Sequence, residues 1–229
     1  MSDRFPLIIL HLNDLHRHKP ERPGWSIIFG SACVDATAVC LDDQEHATSV
    51  AFQIDGIQTC EIEIQWSAID ETVRRFNADQ EVATEYGAYG IAALLMPHLT
   101  KLTVIERAVK GKGFGFDFWP GSIDDPDFLF QRKARLEVSG IRKGSDSIFQ
   151  SSTGRFPAAL RRKQLACNPN LEFGSKSASI PRPLAAGSLD SRVKMKLEQM
   201  QPSDTLSPGY VCVVEFGTPR TRIVKKCRT

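Results

Sequence analysis

The chain has 229 residues, 41% of them hydrophobic and 24% charged, with a formal net charge of +2. That length supports one large domain or two small ones with a real core, and the balance excludes a disordered or fibrous chain. No run is long and apolar enough to span a bilayer. Phe5-Pro6-Leu7-Ile8-Ile9-Leu10 lacks the basic flank and cleavage site of a secretory leader, so a cytoplasmic protein with no membrane partner is expected. The six cysteines (33, 40, 60, 167, 212, 227) form no C-x-x-C pair and read as reduced thiols, several packed as small hydrophobes.

The charge is uneven. Residues 1–150 hold 15 Lys/Arg against 22 Asp/Glu, and residues 151–229 hold 14 against 5. A basic last third suggests a surface facing a polyanion, although a solvated basic tail would give the same pattern.

In chain order, residues 24–66 read as β-rich. Ser26–Phe29, Ala36–Leu41, Ser49–Ile54 and Cys60–Trp66 are of strand length and carry β-branched or aromatic residues, with turn-like Asp42-Asp43 and Asp55-Gly56 between. Helical character begins near Ser67. From Val82 to Leu95 the chain is apolar almost all round, the mark of a buried helix, and Pro97 is expected to end it. Three strands follow, over Leu102–Val109, Phe114–Trp119 and Arg132–Ile141. Strand alternation places Gly115, Asp117 and Trp119 on one face of the second, and Arg135, Glu137 and Ser139 on one face of the third. Residues 142–190 are rich in Ser, Pro, Gly, Ala and Arg and read as a flexible insertion. A short helix is predicted from Asp190 to Met200, a strand over Tyr210–Phe216, and a basic tail after Gly217-Thr218-Pro219.

Three carboxylates stand out within this frame. Glu85 lies in the apolar helix, Asp117 in the second strand and Glu137 in the third. A buried, unpaired charge is costly, so such groups have a partner, a proton or a metal. Mg²⁺, or Mn²⁺ in its place, takes oxygen ligands, commonly one or two carboxylates plus water, and can activate that water against a phosphodiester. Gly115 would leave room for a phosphodiester backbone, and Arg135 shares a face with Glu137 and could hold a phosphate. An ion-pair network with Arg107, Arg132 or Arg135 is the alternative, and for Glu85 a pair with Arg74 or Arg75.

From Ser67 onward the order is helix, strand, strand, strand, helix, strand. With these acids it resembles the PD-(D/E)xK nuclease superfamily, over roughly half the chain. The resemblance implies an α/β fold with a restriction-endonuclease-like αβββαβ core over 67–229 and a β-rich N-terminal extension over 1–66. It implies that Glu85, Asp117 and Glu137 hold Mg²⁺ or Mn²⁺. The family's third-strand lysine is replaced by Ser139, so a lysine from another element has to serve. Lys194 on the short helix is the preferred substitute, ahead of Lys112 and Lys133. Arg135, Arg192 and Lys196 would then hold nucleic acid, DNA rather than RNA, with a homodimer or a partner protein as further options. Genome defence is a natural setting by analogy of fold. Without a lysine at the site, the same core would serve as a non-catalytic nucleic-acid-binding or assembly module.

A second motif lies at the N-terminus. Ile9-Leu10-His11-Leu12-Asn13-Asp14-Leu15-His16 resembles the first metal motif of calcineurin-like metallophosphoesterases, in which a strand delivers Asp-x-His; Asp14 and His16 match. The family's later Gly-Asp and Gly-Asn-His motifs are absent, and two ligands do not make a two-metal centre.

Overall fold

The structure is a computed structural model that describes residues 8–16, 25–108, 115–122, 134–143, 189–200 and 207–226. The expected insertion lies, over 144–188, outside the described residues, as do Lys112, Lys133 and Arg132. The described residues form a mixed α/β fold with four α-helices and one eight-stranded mixed sheet.

Strand β1 (Ile8–His11) leads into a 3₁₀ turn (Leu12–His16), and helix α1 follows over Ile27–Asp42. This overturns the strands expected over Ser26–Phe29 and Ala36–Leu41. The Ser26 side chain accepts from Phe29 N and caps the helix start. Nine of the sixteen residues of α1 are buried, so the apolar run that read as two strands is one buried helix.

Strands β2 (Ser49–Gly56) and β3 (Cys60–Gln65) match the expected pair. A short helix α2 (Glu71–Phe76) is capped by Asp70, and α3 (Gln80–Thr100) by Asp79. Helix α3 runs through Pro97 rather than ending there. It stops at Lys101, which takes a left-handed φ of 60° and donates its N–H to Pro97 O.

Strands β4 (Leu102–Arg107), β5 (Phe118–Ser122) and β6 (Arg135–Ile141) come next, then helix α4 (Leu189–Gln199) and strands β7 (Gly209–Glu215) and β8 (Arg220–Lys226). The expected basic tail is therefore largely a strand. Thr221 and Ile223 are fully buried on one side of β8, while Arg220 and Arg222 reach outward to Glu215 and Asp190 on the other.

The sheet order is β1-β3-β2-β8-β7-β6-β5-β4. Strand β8 joins the first part of the chain to the last: it pairs antiparallel with β7 and parallel with β2. The sheet is thus continuous across residue 66. Strands β6 and β7 run parallel, so the chain must cross over between them, and α4 lies in that crossover.

Two apolar cores sandwich the sheet. On one face α1 and α3 cover Leu136, Val138, Cys212, Val214 and Ile223. On the other, Leu189 and Val193 of α4 meet Val211, Val213, Phe116 and Trp119. All seven residues of β7 are buried, which explains its unbroken apolar run. Helix α3 presses close to α1 and to β6. A Cβ at Gly90 would lie 2.5 Å from Thr37 Oγ1, and one at Gly140 would lie 2.5 Å from Thr84 O. The second approach sets Glu85, the next residue of α3, beside the third strand of the αβββαβ run.

Candidate active site

Asp117 stands at the entrance to β5. Its N–H donates to Leu136 O and its carbonyl accepts from Ala108 N, both at 2.8 Å, so the backbone here is tied to β6 and to the end of β4. Its side chain does what a strand neighbour would otherwise do: Oδ2 accepts from Val138 N at 2.9 Å. The other oxygen, Oδ1, lies 3.0 Å from the hydroxyl of Tyr89, and that same hydroxyl bonds to Glu85 Oε1. A phenol has one proton to give. Burial, and then the negative charge of Asp117, hold the Tyr89 hydroxyl well above its ordinary value, so it stays protonated between its two carboxylates.

The predicted alternation of the second strand breaks at this point. Phe118 packs under α1 and α3, while Phe116 and Trp119 pack together on the α4 side. Asp117 is held between the two faces by its own hydrogen bonds.

Glu137 projects toward α4, as the alternation of β6 requires. Lys196 Nζ reaches its Oε1 at 2.5 Å, and both side chains are largely withdrawn from solvent. Burial raises the Glu137 carboxyl, the negative charge of Asp117 raises it further, and the Lys196 ammonium pulls it back. The result is a pKa of about 7. The Asp117 carboxylate is thus one of the groups that hold the proton on Glu137.

Glu85, Tyr89, Asp117, Glu137 and Lys196 form one connected group. The group gathers three carboxyl side chains and the Lys196 ammonium in a largely buried place. Such an arrangement takes up protons or a cation. Among the described residues, no group of three or more His, Cys, Asp or Glu side chains is placed to hold one metal ion. Glu85 is linked to Asp117 through the Tyr89 hydroxyl. Two adjacent carboxylates nevertheless suit Mg²⁺, which completes its shell with water. Asp117 and Glu137, with Glu85 behind Tyr89, supply the carboxylate oxygens that such an ion takes.

The remaining expected residues fall as follows. Lys194 is exposed on α4, and Lys196 is the residue of that helix that meets the carboxylates. Residues two apart on a helix point different ways, so only one of the two can face the sheet here. Ser139 follows Glu137 on the same face and brings no cation. Arg135 is 7% exposed and donates to Ser207 O at 3.2 Å, so its guanidinium is used inside the fold. Arg192 is half-buried on α4. Gly115 leaves no open space: a Cβ there would lie 2.7 Å from Gln199 O, so its small size serves the approach of α4. Arg74 and Arg75 pair with Asp42 and Glu71.

At the other end of the sheet, Asp14 and His16 sit on the 3₁₀ turn after β1, Asp14 half-buried and His16 exposed. Tyr89 was not foreseen as a member of the site. Its signal was present, since Glu85 and Tyr89 are one helical turn apart on the face that carries the acid.

No family model, no curated protein and no solved structure matches the chain. The case for function therefore rests on the site itself. Among the described residues, no helix is long and apolar enough to cross a membrane.

Proposed function

We propose that this protein is a metal-dependent nuclease of the PD-(D/E)xK type, with Asp117 and Glu137 as ligands of Mg²⁺ or Mn²⁺. The observation that carries the reading is the buried Asp117–Glu137 pair with the Lys196 ammonium 2.5 Å from Glu137. The α3-β4-β5-β6-α4-β7 order supports it, because it sets one acid on the helix, one at the second strand and one on the third. Lys196 takes the part of the lysine that Ser139 does not supply: a cation beside the third-strand acid, delivered from the helix that packs on that face. When bound, the ion would supply an activated water and charge stabilisation at phosphorus. The chain's own residues do the rest. Tyr89 fixes Asp117 and Glu85, Val138 N–H orients the second oxygen of Asp117, and Lys196 sets the charge of Glu137. Arg192 and the exposed Lys194 of α4 would meet the nucleic-acid backbone through charge.

The test is cleavage of plasmid and oligonucleotide DNA and RNA with Mg²⁺, Mn²⁺ or EDTA, beside Asp117→Asn, Glu137→Gln and Lys196→Met. Metal-dependent cutting lost in Asp117→Asn and Glu137→Gln is expected. Salt-sensitive binding with no cutting under any metal would replace the enzyme with a binding module.

A further inference from the structure

Beside the carboxylates lies a cluster of rings that the cleavage chemistry does not use. Tyr89 and Phe118 are its buried floor, with ring centroids 4.9 Å apart and edge to face. Phe29 from α1 and Tyr86 from α3 stand above them, half-buried, 5.6 Å apart and again edge to face. Tyr86 lies 5.9 Å from Tyr89, whose hydroxyl bonds to Glu85 and Asp117. The exposed guanidinium of Arg107 sits over the Phe29 ring, 5.2 Å from its centroid. In the β4–β5 register Arg107 stands opposite Phe118, one residue from Asp117.

Half-exposed rings with a guanidinium over one of them, running into an acidic site, are the chemistry that takes up the face of an unpaired nucleobase. Every base offers a π-face to aromatic rings and to guanidinium planes, so such a surface tolerates any sequence. Bases inside a duplex are already stacked and cannot reach it without being extruded. Val82, one helical turn before Tyr86, is 49% exposed and extends the apolar rim.

We infer that Phe29, Tyr86 and Arg107 form a stacking surface for an unpaired base next to the Asp117–Glu137 pair, so that the protein selects single-stranded or locally opened nucleic acid. This substrate class rests on the nuclease reading for its cleavage, but not for its binding.

The experiment uses the full chain in EDTA, so that nothing is cut. Its probes are a short oligothymidylate with one internal 2-aminopurine, the matching oligouridylate, and a duplex of the same length. The wild type is expected to bind both single strands more tightly than the duplex and to quench the 2-aminopurine. Arg107→Gln, at an exposed side chain, and Tyr86→Leu are each expected to weaken single-strand binding about tenfold and to relieve the quenching. Their duplex binding should stay within about twofold, and a thermal melt checks that Tyr86→Leu remains folded. Quenching and affinity unchanged in Arg107→Gln and in folded Tyr86→Leu would overturn the stacking surface and leave the carboxylate reading standing. A wild type that prefers duplex would overturn it as well. Loss of quenching in the variants of a protein that cuts nothing in Mg²⁺ or Mn²⁺ would support the surface while removing the enzyme.

Discussion

Two stretches of the same sheet are built in opposite ways. Between β6, β7 and β8 the ladders run for seven register pairs each, from Arg135–Ile141 through Gly209–Glu215 to Arg220–Lys226. Between β5 and β6 a single register pair, Phe118 with Leu136, joins the strands among the described residues. The long ladders are regular throughout, and what they lend to the site is Glu137, held on β6 opposite Val211. The short one leaves an amide, Val138 N–H, for a side chain to satisfy, and Asp117 fills that need. Regular pairing makes a scaffold. Where pairing lapses, a carboxylate can be held inside the fold at a fixed place, and a reactive group becomes affordable.

Breaking the scaffold should have the largest effect. Phe216, fully buried just after β7, should lose about 3–5 kcal/mol of stability on Phe216→Ala in urea unfolding. A loss below about 1 kcal/mol would mean that the β7 side of the comparison is not the rigid one.

The next test separates the two roles of Asp117. Asp117→Leu strands the Val138 amide and should cost about 1–3 kcal/mol. Asp117→Asn keeps an acceptor there and relieves repulsion with Glu137, so it should melt close to the wild type. Both should lose metal-dependent cleavage. If Asn melts as low as Leu, the carboxylate oxygen is not what completes the ladder.

Glu137 sharpens the comparison through pH. Its folded pKa of about 7 lies above the ordinary 4.5, so the folded state binds a proton more tightly than the unfolded chain. That stability is fully present below pH 4.5 and is lost as pH rises through 7, by an amount on the order of 3 kcal/mol. Metal binding should run the other way, strengthening as the proton leaves. Thermal melts at pH 5 and pH 8, without metal and with Mg²⁺, check both signs, and Glu137→Gln should flatten both. Lys196→Met should move the rise of activity to higher pH, because the ammonium that pulls the Glu137 carboxyl down is gone.

The smallest effect belongs far from the seam. Arg75 and Glu71 form an exposed pair one turn apart on α2, and Arg75→Ala should change stability by no more than about 0.3–0.5 kcal/mol. A larger change would show surface charge outweighing the buried site.

Much of the last two thirds was legible in the residues. The nearly uniform apolar run of α3, the alternation of β6 and the apolar run of β7 each match one kind of burial; Glu85 and Glu137 could be picked out as acids inside such runs, and Asp117 as one between the rings of Phe116 and Phe118. Helix α1 was not legible, because Ile27–Phe29 and Val39–Leu41 carry strand-forming residues and their helical state is set by packing on α3. Strand β8 hid behind its charges: Arg220, Arg222 and Lys226 read as a tail until their partners Glu215, Asp190 and the end of α4 are seen. The choice between Lys194 and Lys196 depends on which face of a short helix meets the sheet. Two lysines two residues apart do not decide that on their own.

The close crossing of α1 and α3 carries a consequence of its own. Cys33 and Cys40 are fully buried there, and Gly87 brings its helix so near that a Cβ would lie 3.3 Å from Cys40 Sγ. Burial pushes the Cys40 thiol up to about 12 and raises Cys33 too, so neither is an available nucleophile while the helices stay together. Half-buried Cys60 on β3 lacks that shelter. In an alkylation time course Cys60 should label early, while Cys33 and Cys40 should label only when the helix pair opens. The two thiols are thus a built-in clock for the breathing of the layer that carries Glu85 and Tyr89.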